Sequence, residues 1–203
     1  MHLFISSCHT DAGKTMVSAA LCEAFALDYF KLIQAGEETD SKKIAMLSKK
    51  TKIHPCGIFL KTPASPHIAM QKENISYEGL KIPLPPSQNL LIESAGGLFT
   101  PLDSKFCMID YLSASKLPTI LIGRYYLGSI NHILLSIEAL KRRNITLLGL
   151  IISGKQEDKM DSFIAQYTNI KIAHFKEFHS QSEFIQNAKA LKDELLKKEI
   201  LKG

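Results

Sequence analysis

The stretch Ile5-Ser6-Ser7-Cys8-His9-Thr10-Asp11-Ala12-Gly13-Lys14-Thr15 decides how the rest of the chain is read. A short apolar run, Leu3 to Ile5, stops in small polar residues, and Gly-Lys-Thr then opens a segment with helical spacing. Strand, small-residue turn, Gly-Lys-Thr, helix is the order that a phosphate-cradling loop requires. Backbone N–H groups at a helix N-terminus point at the anion, and the helix dipole adds positive potential. In such a loop Lys14 reaches the β- and γ-phosphates of a nucleotide, and the Thr15 hydroxyl binds Mg²⁺. The standard pattern G-x-x-x-x-G-K-[ST] asks for Gly where this chain has Cys8. The competing reading is a chance Gly-Lys-Thr with Thr15 as a simple cap. The strand before it and the apolar helix after it favour the nucleotide.

Outward from the loop, Met16 to Ala26 carries Val17, Ala20, Leu21, Ala24 and Phe25 at helical spacing, a face that packs on a sheet. Tyr29-Phe30-Lys31-Leu32-Ile33 reads as a second strand, ending in Gln34-Ala35-Gly36. Lys31 there either has a buried partner or snorkels from the sheet edge, and the pattern leaves both open. Glu37-Glu38-Thr39-Asp40 opens the next helix. Acids in a first turn are ordinary dipole chemistry, so Asp40 alone does not identify a metal ligand. Residues 54–68 read as loop with a short extended piece, Gly57 to Leu60, and His54 and His67 as loop or surface histidines.

Asn89 to Glu93 is an apolar strand ending in a carboxylate, followed at once by Ser94-Ala95-Gly96-Gly97. Doubly wound sheets bind ligands at the C-terminal tips of their strands. Glu93 there can hold magnesium opposite Thr15, and the Gly pair lets backbone approach phosphate; the plainer alternative is a polar residue marking a strand end. Pro118 to Gly123 is another buried-type strand. Leu127-Gly128-Ser129-Ile130-Asn131-His132 then leads into a helix to about Arg143, a second anion-binding N-terminus. A strand from Leu147 to Ile152 ends at Ser153-Gly154, and a helix over 158–167 and a strand from Ile170 to Phe175 follow. The last helix starts near Ser182 and carries Phe184, Ala188, Leu191 and Leu195 on one face. This alternation predicts an α/β fold of the P-loop NTPase type, a mainly parallel sheet flanked by helices, with one domain over 1–203.

Composition narrows the class further. The chain has 203 residues, 45% of them hydrophobic and 22% charged, and a net charge of +5. Its lysine runs, between Lys42 and Lys52 and between Lys189 and Lys202, do not interleave with aromatics. They read as solvated faces rather than a nucleic-acid groove. The four cysteines form no C-x-x-C pair, which points to a reducing cytoplasm. The N-terminus runs straight into a strand, and no apolar run approaches bilayer length, so a soluble intracellular protein without membrane association is expected.

Read together, five segments resemble the dethiobiotin synthetase family. They are His9-Thr10-Asp11-Ala12-Gly13-Lys14-Thr15, Phe30-Lys31-Leu32-Ile33, Pro63-Ala64-Ser65-Pro66-His67, Glu93 through Leu102 (Glu-Ser-Ala-Gly-Gly-Leu-Phe-Thr-Pro-Leu), and Leu127 through His132. The resemblance implies an ATP-dependent homodimer acting on 7,8-diaminononanoate and CO₂ or bicarbonate, with Mg²⁺. It makes Lys31 the active-site lysine beside carbamate and γ-phosphate, with Lys14, and makes Thr15, Asp40 and Glu93 the magnesium ligands. It places Asp11, Ala12, Gly13, Lys14, Thr15, Met16, Asp40, Glu93, Ser94, Ala95 and Gly96 around the nucleotide. Thr10, Asp11, Lys31 and Gly96 fall on the substrate, with Leu127, Gly128, Ser129 and Asn131 holding it across the dimer interface.

The family's loop runs one residue longer than the standard pattern, so Cys8 is no objection. Ser7, however, stands where the family has its first Gly, at a cost to close backbone approach. Ala35 replaces a substrate-touching hydroxyl. Ser153-Gly154 replaces the Asn-Asp whose amide reads adenine, and His174 to Phe178 lacks the Ile-Pro pair expected beside the base. Weak base discrimination is the expectation. Two rivals remain: a partition- or septum-type ATPase, which would carry a second lysine at the place of His9, and a non-catalytic nucleotide-binding module.

Overall fold

A computed structural model describes residues 1–37 and 39–202. The elements run β1 (His2–Ser7), α1 (Lys14–Phe25), β2 (Asp28–Lys31), β3 (Ile33–Ala35), α2 (Thr39–Leu47), β4 (Ile58–Leu60) and α3 (Pro66–Glu73). They continue with β5 (Leu90–Glu93), α4 (Met108–Ser115), β6 (Thr119–Gly123), α5 (Ser129–Arg142), β7 (Leu147–Ser153), α6 (Asp158–Thr168), β8 (Ile172–Phe175) and α7 (Gln181–Lys197). Six strands form one sheet in the order β2-β5-β1-β6-β7-β8, and every pairing in it is parallel. The fold is the expected α/β class.

Strand residues alternate between two faces, and both faces are covered, so each strand reads as a continuous apolar run. Leu3 and Ile5 of β1 pack with Val17 and Leu21 of α1 and Phe184 and Leu191 of α7. Phe4, between them, packs on the opposite face with Met108 and Leu112 of α4 and Ile133 and Ile137 of α5. Burying each such side chain contributes about 1.5–3 kcal/mol. The α7 face expected from spacing is the buried one: Phe184, Ala188, Leu191 and Leu195 are at most 1% exposed. Ser180 caps that helix, its Oγ accepting from the Glu183 N–H at 3.2 Å.

Three expectations change, and one element is new. The strand read over Tyr29 to Ile33 breaks at Leu32, whose N–H makes a last bond to Glu93 O at 3.0 Å. From Ile33 onward the chain pairs with β4 in a separate two-stranded sheet. Pro66 and His67 open α3 instead of extending a loop, because proline at the first helical turn forfeits no helical hydrogen bond. His54 is buried, not superficial, with Nε2 3.0 Å from Asp28 Oδ2. Finally, α4 is an element that the motif pattern does not signal; Asp110 Oδ2 accepts from the Cys107 N–H at 2.8 Å and fixes its start. Of the acids read as opening α2, Glu38 lies outside the described residues.

His174 joins β8 to the two helices beside it. Its Nε2 lies 2.9 Å from Asp161 Oδ2 on α6, its Nδ1 3.4 Å from Glu194 Oε1 on α7, and its N–H donates to Glu194 Oε2 at 2.9 Å. Burial pulls the imidazolium pKa down, but the bonds to Glu194 and Asp161 outweigh it and hold it above the usual histidine value. A raised folded-state pKa stabilises fully below the unfolded value, about 6.5, and the stabilisation is lost as pH rises through the folded value. Between about pH 6 and pH 9 the thermal midpoint of the wild type should therefore fall more than that of His174→Gln. The difference should be about 2–4 °C for each kcal/mol of lost stabilisation. Parallel midpoint curves for the two proteins would show that His174 does not titrate in this way.

Candidate active site

All six strands of the main sheet end on one edge, and the loops there enclose a cavity of about 990 Å³. Its floor is the loop after β1. Gly13 caps α1 with φ +95°, and Asp11 also takes a left-handed backbone, φ 63°. Left-handed geometry is open to glycine and tolerable for Asp, and it turns successive N–H groups inward around an anion. Thr10, Asp11, Gly13, Lys14, Thr15 and Met16 line the cavity. Ala12 is fully buried behind the loop.

Strand register decides the surroundings of Lys31. It ends β2 directly opposite Glu93, the last residue of β5. Its Nζ lies 2.6 Å from Glu93 Oε1, 2.8 Å from Asp40 Oδ2 and 3.2 Å from Ser94 O. Burial drives this ammonium toward neutrality, but Glu93 and Asp40 more than offset it and keep its pKa above the lysine norm. Asp40 is held below the usual carboxylate range: Lys31, assisted by Thr15, outweighs the effect of its burial. Lys14, nearly buried, is brought down to about 8, chiefly by burial and further by Lys31, against the pull of Glu93. Two lysines and two carboxylates thus meet at the tips of three adjacent strands and the start of α2.

Thr15 Oγ1 sits 3.0 Å from Asp40 Oδ1 and 3.2 Å from Glu93 Oε1. Glu93 is fully buried, and its second oxygen, Oε2, has no hydrogen-bond partner. A buried carboxylate with an unused oxygen, a second carboxylate and a hydroxyl make a hard-oxygen donor set, which fits Mg²⁺. Among the described residues no three His, Cys, Asp or Glu side chains form a metal cage. Mg²⁺ does not need one, since it is commonly held by one or two carboxylates together with substrate phosphates.

The wall after β5 is built by Ala95 and Gly96, both lining the cavity, whereas Ser94 is buried with its Oγ 3.3 Å from Ser6 Oγ. Gln34 and Ala35 of β3, the turn Pro63-Ala64-Ser65, and Lys43 close the opposite side. Ala35 thus stands in the site, as its place in the motif pattern implies; the others, with Cys8, His9 and Ser136, are cavity residues to which motif reading assigns no role. Leu127, Gly128, Ser129 and Asn131 do not line this cavity. Leu127 is wholly exposed at the start of α5, and Ser129 is buried, with its Oγ accepting from the Tyr126 N–H at 3.2 Å.

On the flank where a base would lie, Ser153 packs against Gly13. Arg124 Nη2 and Glu177 Oε1 pair at 2.7 Å beside Gly154. No asparagine or aspartate side chain stands at 153 or 154 to read an adenine edge. ATP affinity is therefore expected to be low, with GTP or CTP binding within tenfold of it. Calorimetry showing GTP at least tenfold weaker than ATP would contradict this.

A phosphate loop at the tip of a central parallel strand, with a strand-end carboxylate beside its threonine, defines a P-loop nucleotide-binding protein. Solved structures agree on the fold. The MinC:MinD cell division complex of Aquifex aeolicus superposes with a TM-score of 0.55 at 11% identity, covering 100% of this chain and 96% of that one. A putative plasmid partition protein of Borrelia burgdorferi B31 bound to AMPPNP gives 0.57 at 11%, covering 97% and 98%. A family profile described as AAA domain matches residues 1–175. The ATP-dependent dethiobiotin synthetase BioD of Campylobacter jejuni is 54% identical over 200 residues, 98% of this chain and 100% of its own. That of Cytophaga hutchinsonii is 40% identical over 174 residues, 83% and 84% of the two chains. The chain belongs to the ATP-dependent dethiobiotin synthetase family, and it is an enzyme of that ligase type. Its likeness to septum and partition proteins is one of fold.

Proposed function

We propose that this chain, as a single catalytic domain over 1–203, converts 7,8-diaminononanoate and CO₂ to dethiobiotin at the expense of ATP. The observation that carries the reading is Lys31, buried between Glu93 and Asp40 and within the same cavity as the phosphate loop. One amine takes up CO₂ as a carbamate and releases a proton. The carbamate oxygen accepts the γ-phosphoryl group, giving a carbamic–phosphoric anhydride and ADP. The second amine then attacks the carbonyl carbon, closes the ureido ring, and expels phosphate.

Each demand of that sequence can be assigned to a residue of this chain. Phosphoryl transfer needs little covalent help from protein, so positioning and charge dominate. Lys14 and the loop amides hold the β- and γ-phosphates, while Lys31 faces carbamate and γ-phosphate together and offsets the charge that builds between them. Thr15, Asp40 and Glu93 would hold Mg²⁺, which neutralises phosphate charge when bound. Thr10, Asp11 and Gly96 face the amine end of the substrate. Leu127, Gly128, Ser129 and Asn131 lie outside the cavity and serve the carboxylate end in a second copy of the chain, a role supported by the full exposure of Leu127. That is the basis for a homodimer.

No helix among the described residues is long and apolar enough to cross a membrane. We place the enzyme in the cytoplasm, in keeping with cysteines spread far apart in sequence. The deciding experiment measures phosphate release with ATP, Mg²⁺ and bicarbonate, with and without the diamine. Diamine-dependent release and a cyclic urea by mass spectrometry support the reading; release indifferent to the diamine refutes it.

A further inference from the structure

We propose that the Ser7 hydroxyl is a positioning group that presets the phosphate loop before nucleotide arrives, an inference that rests on reading this loop as the ATP site. Ser7 is fully buried at the end of β1 and does not line the cavity, so its side chain turns beneath the loop instead of obstructing the nucleotide. There its Oγ accepts from Lys14 Nζ at 2.9 Å and donates to the His9 carbonyl at 2.7 Å, with the Gly96 carbonyl at 3.2 Å. A hydroxyl carries one proton and two lone pairs, so it can serve the ammonium and the carbonyl at once.

Two consequences follow from those bonds. A lysine ammonium on its four-carbon stem is a mobile point charge, and one N–H held by Ser7 fixes its direction while leaving two for phosphate oxygens. In a planar trans peptide the C=O and the following N–H point opposite ways. Holding the His9 carbonyl under the loop therefore aims the Thr10 N–H to the other side, where Thr10 lines the cavity. Alanine or glycine at position 7 leaves both groups unset.

The test compares Ser7→Ala, Ser7→Gly and Ser7→Thr with the wild type by calorimetry with ATP and Mg²⁺, and by steady-state kinetics. Loss of the hydroxyl in Ala and Gly should weaken ATP binding about tenfold, the scale of one hydrogen bond to a charged group. KM for ATP should rise equally, with kcat within about threefold, whereas a merely structural lesion would lower kcat and leave KM alone. Ser7→Thr keeps the hydroxyl and should stay near the wild type. If Ser7→Ala does not fold, Ser7→Gly carries the comparison. ATP bound as tightly by the Ala or Gly variant as by the wild type would overturn the inference. Failure of the wild type to bind ATP at all would instead strike the reading of the loop beneath it.

Discussion

Lys31→Ala should lose turnover by a factor on the order of 10³ while binding ATP within about threefold of the wild type. Removing one preorganised charge aimed at a developing anion costs roughly 10²–10³ in rate, and in the proposed reaction the same ammonium faces both the carbamate and the phosphoryl group. Nucleotide binding should be spared because the proposed phosphate grip is that of Lys14 and the loop amides, with Lys31 on a separate strand. The substitution also leaves Glu93, fully buried, without its cation. Breaking a buried pair costs about 3–5 kcal/mol, so without Mg²⁺ the thermal midpoint should drop on the order of 10 °C. Added Mg²⁺ should restore part of it by pairing with the carboxylates. Turnover within tenfold of the wild type would remove Lys31 from the chemistry.

That residue also shows how far the sequence reaches. A lysine inside an apolar strand signals an unusual environment, but whether it meets a partner or snorkels depends on the pairing register of β2 with β5. Lys31 and Glu93 lie 62 positions apart in the chain, and no local pattern sets their alignment. The structure sets Lys31 opposite Glu93. The strand-end carboxylate was legible because an apolar run that stops at a glutamate beside two glycines has the form of a strand tip facing a ligand. Helix α7 was legible from an apolar stripe repeating every three to four residues; α1 shows apolar residues at that spacing too, although its buried residues run on continuously over 17–22.

Short or proline-marked pieces were not. Ser65-Pro66-His67 looks like loop, since proline breaks helices everywhere except in their first turn, which is where Pro66 sits. His54 has no metal partner at any suggestive spacing, and its acceptor, Asp28, comes from the far end of β2. Ser7 could be seen from the sequence only as a loss, a side chain where the family has none. Its bonds to Lys14 and His9 appear only once the loop has closed on itself.

The second large effect is expected at Gly13. Its φ of +95° is a conformation that costs an L-residue about 1–2 kcal/mol. A Cβ added there would lie 2.8 Å from Ser153 Cβ and closer still to its Oγ. Either Ser153 withdraws, dragging the end of β7, or the loop shifts outward and its amides miss the phosphates. Gly13→Ala should therefore weaken ATP binding by at least about a hundredfold, because a displacement near ~1 Å in such a cradle disables several hydrogen bonds together. The two causes separate in the double variant. Adding Ser153→Gly removes the clash but not the backbone strain, so Gly13→Ala with Ser153→Gly should recover part of the loss, leaving a deficit of about tenfold set by the φ penalty. Full recovery would mean that the left-handed backbone at 13 is dispensable. No recovery would mean that the contact with Ser153 is, and that the loop's geometry rests on the glycine's backbone alone.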